Sequence, residues 1–590
     1  MHFVKKVPRT EEEEARNAKE KAKKLRTYCQ LRDKINTKQR SDELDDELLE
    51  LTGEILTKVP DLYSVWNLRR SVLEKLAEKK DNESEEEHLK RKDRLFSGEL
   101  ILTQSCLMTN CKSYCAWFHR GWAFSRIKSR DINHELKMCE KALQMDGRNF
   151  HCWDYRRLIA KIANLHPDEE LKFSDKMIGA NFSNYSAWHY RSSLLPVLFP
   201  DPERRIAISE ERACLELKNM PNAFFTDPED QSAWIYSEWL VSMCSRSFQV
   251  EAQPKLLSII MNDEKTQIYA TFNVAVCHTE LSNNVNVEME GDFDVHWMPI
   301  MRFPRTKFSR LWMATLKGAF RSLEVSNSSS EKYVKLASGG IVNVKELYRI
   351  YNVEQRDRNT ELEKSVRNLT EQCRILIEEL SGDQSPAALK WPVFTYTRCL
   401  IELDPAGNEE TIIKNLRKLA YEYDPKRREM YREAEAKYLI DKTLRSTNNN
   451  GMRIIDELIK NGSLSLKDLD LSSVDHLVYL SSLITSLDLS GNALVQTKFL
   501  PMFPRLKQLH LDSNPLPSIT DLKCPDLELL SIAGCFVSEV HDVDCILECD
   551  SLSRFIFCET ALSEDNAKSE SLRKIINENG RNIRLIRHWL

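Results

Sequence analysis

The chain has 590 residues, 42% apolar and 30% charged, and its 85 Lys and Arg against 90 Asp and Glu leave a formal charge of −5. That balance is globular rather than disordered and lacks the basic excess of a protein built around nucleic acid. With 16 Gly and 20 Pro, collagen-like and low-complexity material are excluded, and at roughly 150 residues per domain the length predicts about four domains.

The 16 Cys are spread along the chain with no Cys-x-x-Cys pair. Zinc ribbons and thioredoxin-type redox sites therefore lack their spacing. The opening MHFVKKVPRTEEEE has no apolar core of a secretory leader. No run reaches the ~18 apolar residues that span a bilayer. A cytoplasmic protein with reduced thiols is expected. The run EEEEARNAKEKAKK reads as a solvated helix face of mixed charge.

The chain is then self-similar as far as residue 243. The segments PDLYSVWNLRR, CKSYCAWFHRG, GRNFHCWDYRR, FSNYSAWHYRS and PEDQSAWIYSE align on Trp66, Trp117, Trp153, Trp188 and Trp234, spaced 51, 36, 35 and 46 residues apart. Three residues before each Trp stand Tyr63, Tyr114, Phe150, Tyr185 and Gln231. Three residues after stand Arg69, Arg120, Arg156, Arg191 and Ser237. Positions i, i+3 and i+6 share one helix face. The two rings are expected to supply buried area, and the Arg fork to meet carboxylates or helix C-termini of the next repeat. The pattern predicts an all-α helical-hairpin solenoid of stacked antiparallel pairs. A tetratricopeptide array does not fit, because it keeps a period of about 34 residues and a Trp-x-x-Leu-Gly opening.

Between 244 and 343 the period becomes two. Ile268, Ala270, Phe272, Val274 and Val276 alternate with Gln267, Thr271 and Asn273. Val285, Val287 and Met289, then Phe293, Val295 and Trp297, do the same. Such runs predict an inserted β-sandwich, immunoglobulin-like in architecture although no Cys…Trp…Cys framework is present. Ser326–Ser330 reads as one of its loops.

Helical spacing returns over 344–443. Leu362, Val366, Leu369, Cys373, Leu376 and Leu380 form a stripe expected to pack on the first helical block. LKWPVFTYTRCLIELDP, around Trp391 and Arg398, reads as a last, degenerate repeat. From 444 to 590 the chain carries leucine-rich repeats, an α/β module. ITSLDLSGN, LKQLHLDSN, LELLSIAGC and a degraded LSRFIFCET advance by 22, 21 and 25 residues at Asn492, Asn514, Cys535 and Thr560. An Asn or Cys at that corner can satisfy backbone groups, so the two types interchange.

Pro-x-x-Tyr-x-x-Trp-x-x-Arg, complete at Pro60, Tyr63, Trp66 and Arg69, resembles the repeat of protein prenyltransferase α subunits. Later copies carry Cys111, Gly147, Phe182 and Pro228 in the first position. Helical repeats, β insertion and leucine-rich repeats in this order resemble the type II branch, the Rab geranylgeranyltransferase α subunits. The α subunit shared by the farnesyl and type I enzymes has only the helical repeats and is the alternative within the class.

The resemblance implies a heterodimer. A separate β subunit would carry the catalytic zinc and the lipid pocket. Geranylgeranyl would pass from geranylgeranyl diphosphate to C-terminal cysteines of Rab GTPases, presented by a Rab escort protein. Such chemistry uses a zinc-bound thiolate and needs cations for the departing diphosphate. By resemblance, Lys112 in CKSYCAW reaches the diphosphate, and Tyr114 lies at the active-site seam between the subunits. Asn149 and His151, in NFHCW, form a polar pair near that seam, and His2 caps the zinc of the resting enzyme. Without the resemblance, Lys112 reads as a solvated lysine beside a repeat helix, and Tyr114 is equally the packed ring of its repeat. His541, Cys545 and Cys549 have metal-like spacing but sit in a connection between leucine-rich repeats and read as structural. No phosphate-binding glycine loop or nucleophile elbow occurs. A pure scaffold of helical and leucine-rich repeats, without prenyl transfer, is the alternative outside the class.

Overall fold

The computed structural model describes residues 11–202, 207–243, 254–262, 264, 266–289, 295–300, 308–316, 320–325, 334–335, 340–351, 360–382, 386–519, 522 and 524–588. His2, Phe293 and Ser326–Ser330 lie outside them. The chain divides into two compact units, Met1–Leu198 and Phe199–Leu590.

The first unit is helical: α1 (Glu11–Arg40), α2 (Asp46–Lys58), α3 (Tyr63–Leu76), α4 (Glu85–Thr109), α5 (Tyr114–Arg126), α6 (Ile132–Met145), α7 (Phe150–Ile162), α8 (Pro167–Ala180) and α9 (Tyr185–Leu198). Helices α2 to α9 form four consecutive pairs. Side-chain caps set many of the starts. Ser113 and Asn149, four residues before their Trp, accept from the third backbone N–H of α5 and α7.

The repeat motif has a mechanical explanation. Each Trp indole donates to the carbonyl six residues earlier: Trp66 to Pro60 at 2.7 Å, Trp117 to Cys111 at 2.8 Å, Trp153 to Gly147 at 2.9 Å and Trp188 to Phe182 at 2.8 Å. The position is used through its backbone oxygen, so Pro, Cys, Gly and Phe all serve.

Each Arg then ties three helices together. Arg120 grips Glu135 of α6 with two bonds, 2.8 and 2.6 Å, and donates back to Leu100 O of α4 at 2.6 Å. Arg69 does the same to Glu99 at 2.7 and 2.7 Å and to Leu49 O. Arg156 grips Glu170 at 2.9 and 2.6 Å. Each carboxylate is also held by the residue two after the next Trp: Glu99 by His119 at 2.9 Å, Glu135 by Tyr155 at 2.7 Å and Glu170 by Tyr190 at 3.0 Å. The expected carboxylate partners are thus the buried Glu residues of the following helix. In the fourth repeat Arg191 pairs with Asp175 of α8.

The ring three residues before the Trp behaves otherwise than expected. The Trp residues are buried, but Tyr63, Tyr114, Phe150 and Tyr185 are 59%, 56%, 61% and 43% exposed. Each is the first residue of its helix. Side chains tilt toward the helix N-terminus, so a first-turn ring points off the end.

The second unit opens with α10 (Glu210–Thr226) and α11 (Gln231–Ser242). Trp234 keeps the rule, donating to Pro228 O at 3.1 Å, and Tyr236 holds Glu216 at 2.8 Å. A short helix α12 (His278–Asn284) lies among the strands that follow. These are β1 (Leu256–Met261), β2 (Gln267–Val276), β3 (Val285–Met289), β4 (Trp297–Ile300), β5 (Ser309–Thr315), β6 (Phe320–Val325), β7 (Val334–Lys335) and β8 (Ile341–Val342). They make an antiparallel sheet in the order β4-β5-β2-β1-β8-β7 and a separate β3-β6 pair. Val285 of β3 shares a core with Ile259, Phe272 and Trp312 of the larger sheet.

Strand β1 is buried at every position, so its sequence LLSIIM shows no alternation. Its second face packs on the C-terminal repeats: Leu257 and Ile260 join a core with Leu480 and Leu483, and Ser258 and Thr271 meet the Ser482 hydroxyl at 2.8 and 2.9 Å.

Helices follow: α13 (Val344–Ile350), α14 (Glu361–Leu380), α15 (Lys390–Leu403), α16 (Glu409–Lys418), α17 (Arg428–Arg445) and α18 (Ile454–Asn461). The apolar stripe of α14 packs on α10 and α15. Arg398 of α15 pairs with Glu238 of α11 at 3.4 Å. The chain ends in a parallel sheet, β9 (Ser463–Ser465), β10 (Ser486–Asp488), β11 (Gln508–His510), β12 (Leu529–Ser531), β13 (Arg554–Ile556) and β14 (Arg584–Ile586), in sequence order. At its corners Asn492 donates to Leu466 O and Leu489 O, both at 2.8 Å, Asn514 donates to Leu489 O at 2.9 Å, and the Cys535 thiol donates to Leu511 O at 3.2 Å. Gly491, with φ +68°, precedes the first of these corners, and a Cβ there would meet Asp468 Oδ1 at 1.9 Å.

Candidate functional site

The candidate residues that lie within the described chain gather where the second helices of the pairs begin. The loops before α3, α5, α7 and α9 touch in succession. Asn110 and Ser113 donate to Asp61 at 2.8 and 2.6 Å, Asn149 donates to Cys111 O at 2.8 Å, and Arg148 donates to Ser183 O at 3.0 Å. These contacts line up four helix N-termini, each carrying partial positive charge, with their exposed rings.

Lys112 stands in this row. Its own N–H donates to the Asn110 side chain at 3.1 Å. The preceding carbonyl, Cys111 O, is gripped from both sides by Trp117 Nε1 and Asn149 Nδ2. The backbone is held while the side chain stays 57% exposed. Its ammonium meets Asp146 Oδ2 at 2.9 Å. The hydrogen bond to Asp146 raises the Lys112 pKa, and the same bond lowers that of Asp146. Asp146 ends α6, seven residues before Trp153, and was not among the residues singled out from sequence.

Tyr114 packs against Phe118, with ring centroids 6.1 Å apart, and reaches the His151 ring at 5.7 Å. Phe118 is itself exposed, and the Arg70 guanidinium lies 5.4 Å over its ring. His151 is half-buried against Phe150 at 3.9 Å, and burial lowers its pKa. Lys112, Tyr114 and His151 therefore share one solvent-facing edge. Asn149 does not: it is 3% exposed, caps α7 and holds the Lys112 loop. Its place is behind the edge, as a positioning group. The arrangement offers a restrained cation, a polar ring and an imidazole beside exposed aromatic surface.

Among the described residues no group of three or more His, Cys, Asp and Glu could hold a metal ion. His541 is exposed, and the Cys545 and Cys549 thiols donate to Ile519 O and Leu522 O at 2.8 and 3.6 Å. Burial pushes these thiols up, to about 12 and about 11. Among the described residues no helix is long and apolar enough to cross a membrane.

Four segments, 45–76, 96–127, 132–162 and 167–198, match the family model described as protein prenyltransferase alpha subunit repeat. They contain α2, α3, the C-terminal part of α4 and α5 to α9. The chain is similar to the geranylgeranyl transferase type-2 subunit alpha of Rattus norvegicus, with 30% identity over 582 residues, covering 96% of this chain and 93% of that protein. The Dictyostelium discoideum protein of the same name is 37% identical over 278 residues, 46% of this chain and 82% of its own length. Among solved structures, a Candida albicans protein geranylgeranyltransferase-I complexed with GGPP is similar at a TM-score of 0.38 and 16% identity, covering 69% of this chain and 88% of that one.

Proposed function

Since this chain belongs to the geranylgeranyl transferase type-2 alpha-subunit family, we propose a division of roles among its parts in that reaction. It is a subunit of a protein prenyltransferase, and an alpha subunit of that kind implies a beta-subunit partner. The match over nearly the whole length of a type-2 relative favours this branch over the farnesyl and type I alternative. In our reading the pair transfers geranylgeranyl from geranylgeranyl diphosphate to C-terminal cysteines of Rab proteins, presented by a Rab escort protein. The chain divides into helical repeats (1–243), an inserted immunoglobulin-like sandwich (244–343), a return to the helical block (344–443) and leucine-rich repeats (444–590).

The observation that carries the site is the row of exposed first-turn rings beside Lys112. Tyr63, Tyr114, Phe150 and Tyr185 give a partner apolar surface, with polar tips at three of them. That edge is our docking face for the β subunit. Lys112 would then lie at the seam, where its ammonium stabilises the charge that grows on the leaving diphosphate. Asp146 holds that ammonium until the diphosphate competes for it. Tyr114 and His151 line the same seam, and Asn149 keeps the Lys112 loop in register.

Bound zinc turns a substrate thiol into the nucleophilic thiolate. On the resemblance of the repeats to prenyltransferase α subunits, we assign zinc to the β subunit. His2 remains our candidate for a resting-state cap on that ion. Replacing it with Ala should change the resting zinc coordination of the heterodimer, read by X-ray absorption.

The test is co-expression with a prenyltransferase β subunit, followed by transfer of labelled geranylgeranyl to a Rab protein with its escort protein. Transfer by the pair, and not by the chain alone, is expected. A chain that never pairs would instead be a scaffold.

A further inference from the structure

The C-terminal parallel sheet has two unlike faces. Leu464, Leu487, Leu509, Leu530 and Phe555 lie in register and are buried in the core of the second unit. Side chains alternate along a strand, so the residues flanking each of these belong to the opposite face. There, Arg554 of β13 and Arg584 of β14 stand directly opposite each other in register. Both are exposed. Neither guanidinium has an ion pair or hydrogen bond among the described residues. Adjacent strands are about 4.8 Å apart, and like charges facing across a ladder repel.

Two residues further on, the same two strands carry Ile556 and Ile586, also in register and half-buried. The patch is therefore two cations without a partner among the described residues, beside two apolar side chains. Elsewhere on the face the charge reverses. Asp488 lies in register with His510 of β11, and Asp512 follows, with its carboxylate 3.9 Å from the His510 ring. Asp512 also accepts from the Ser531 hydroxyl and from Ala533 N at 2.8 Å. The sheet face runs from the carboxylates of Asp488, on β10, and Asp512, just after β11, to the cations of β13 and β14.

We propose that this face is a docking surface for a segment of a partner protein that carries carboxylates beside apolar side chains. Its carboxylates lie on Arg554 and Arg584, where the planar forks match them in pairs and an incoming anion relieves the repulsion between the two cations. Its apolar groups cover Ile556 and Ile586. Asp488 and Asp512 repel the acidic end and so set the direction in which the segment lies. The same two carboxylates disfavour a uniform polyanion such as nucleic acid. This inference is independent of the transfer reaction.

The experiment uses the full chain and a fluorescein-labelled peptide of repeated Glu-Glu-Leu, read by fluorescence anisotropy. Saturable binding that weakens with added salt is expected. The double variant Arg554→Glu/Arg584→Glu should weaken it by about tenfold or more. Arg554→Lys/Arg584→Lys should give an intermediate loss, because the charge stays and the fork is lost. A Lys-Lys-Leu peptide should bind no better than the double variant binds the acidic one. An unchanged thermal unfolding midpoint in the variants shows that the sheet is intact. Equal binding by wild type and double variant overturns the proposal. So does an absence of saturable binding, or an equally tight complex with a single-stranded oligonucleotide of the same net charge.

Discussion

Lys112 Nζ lies 2.9 Å from Asp146 Oδ2, an ion pair that joins the loop before α5 to the end of α6. The pair crosses from one repeat to the next and is open to solvent, so it contributes little to stability. Its interest is functional. A cation already held by a carboxylate is available to a diphosphate only by exchange. Lys112→Ala should slow prenyl transfer in the heterodimer while leaving subunit assembly intact. Asp146→Asn should lower the KM for geranylgeranyl diphosphate, because the ammonium is no longer held. Steady-state kinetics of both variants, with gel filtration of the pair, checks this. Unchanged kinetics in both would remove Lys112 from the site.

Arg120 and Glu135 are 1% exposed each. Removing one partner leaves the other buried and charged, so Arg120→Met should cost about 3–5 kcal/mol. The paired change Arg120→Met/Glu135→Gln should cost less than the single change, because no buried charge is left alone. Urea unfolding of the three proteins gives the comparison. A single change costing no more than the pair would mean that the clamp holds nothing.

Cys111 stands where the first and fifth repeats carry Pro60 and Pro228, and it serves the fold through its carbonyl, which accepts from Trp117 and Asn149. Asn110 before it is already extended, with φ −141° and ψ 95°, and so lies outside the α region that a following Pro disfavours. Cys111→Pro should therefore change stability by less than about 1 kcal/mol in either direction. A melting curve decides it, and a large loss would show that the Cys111 side chain or N–H is needed.

His119 is fully buried between Trp66 and Trp122, at 4.4 and 5.0 Å, with Nε2 on Glu99 and no partner for Nδ1 among the described residues. Burial lowers its pKa below the ordinary 6.5, although Glu99 opposes the shift. The unfolded chain therefore binds this proton more readily than the folded one. Stability is fully present above pH 6.5 and declines as the pH falls below it. His119→Gln should flatten this dependence, measured as the unfolding free energy between pH 5 and pH 8. A slope that survives the substitution would assign the effect to other groups.

Features written in local periods are legible in the amino-acid order alone. The Trp-x-x-Arg copies, the alternating runs from Ile268 and the corner residues Asn492, Asn514 and Cys535 are legible because helix, strand and turn repeat over a few residues. The motif at Lys112 was legible for the same reason. Tertiary structure decided the rest. Nothing near Arg69 in the chain names Glu99, thirty residues on, as its partner, and Tyr155 and Tyr190 acquire meaning only when packing on the preceding helix brings them to Glu135 and Glu170. The spacing of Tyr63 and Tyr114 to Trp predicts buried rings, and the rings are exposed because each helix begins at that residue. Strand β1 hides its alternation because a second layer covers its other face. Asp146 has no signature of its own, since an ion pair between repeats depends on how two loops meet. Local period is carried by the backbone of one element, whereas partnership depends on the packing of several.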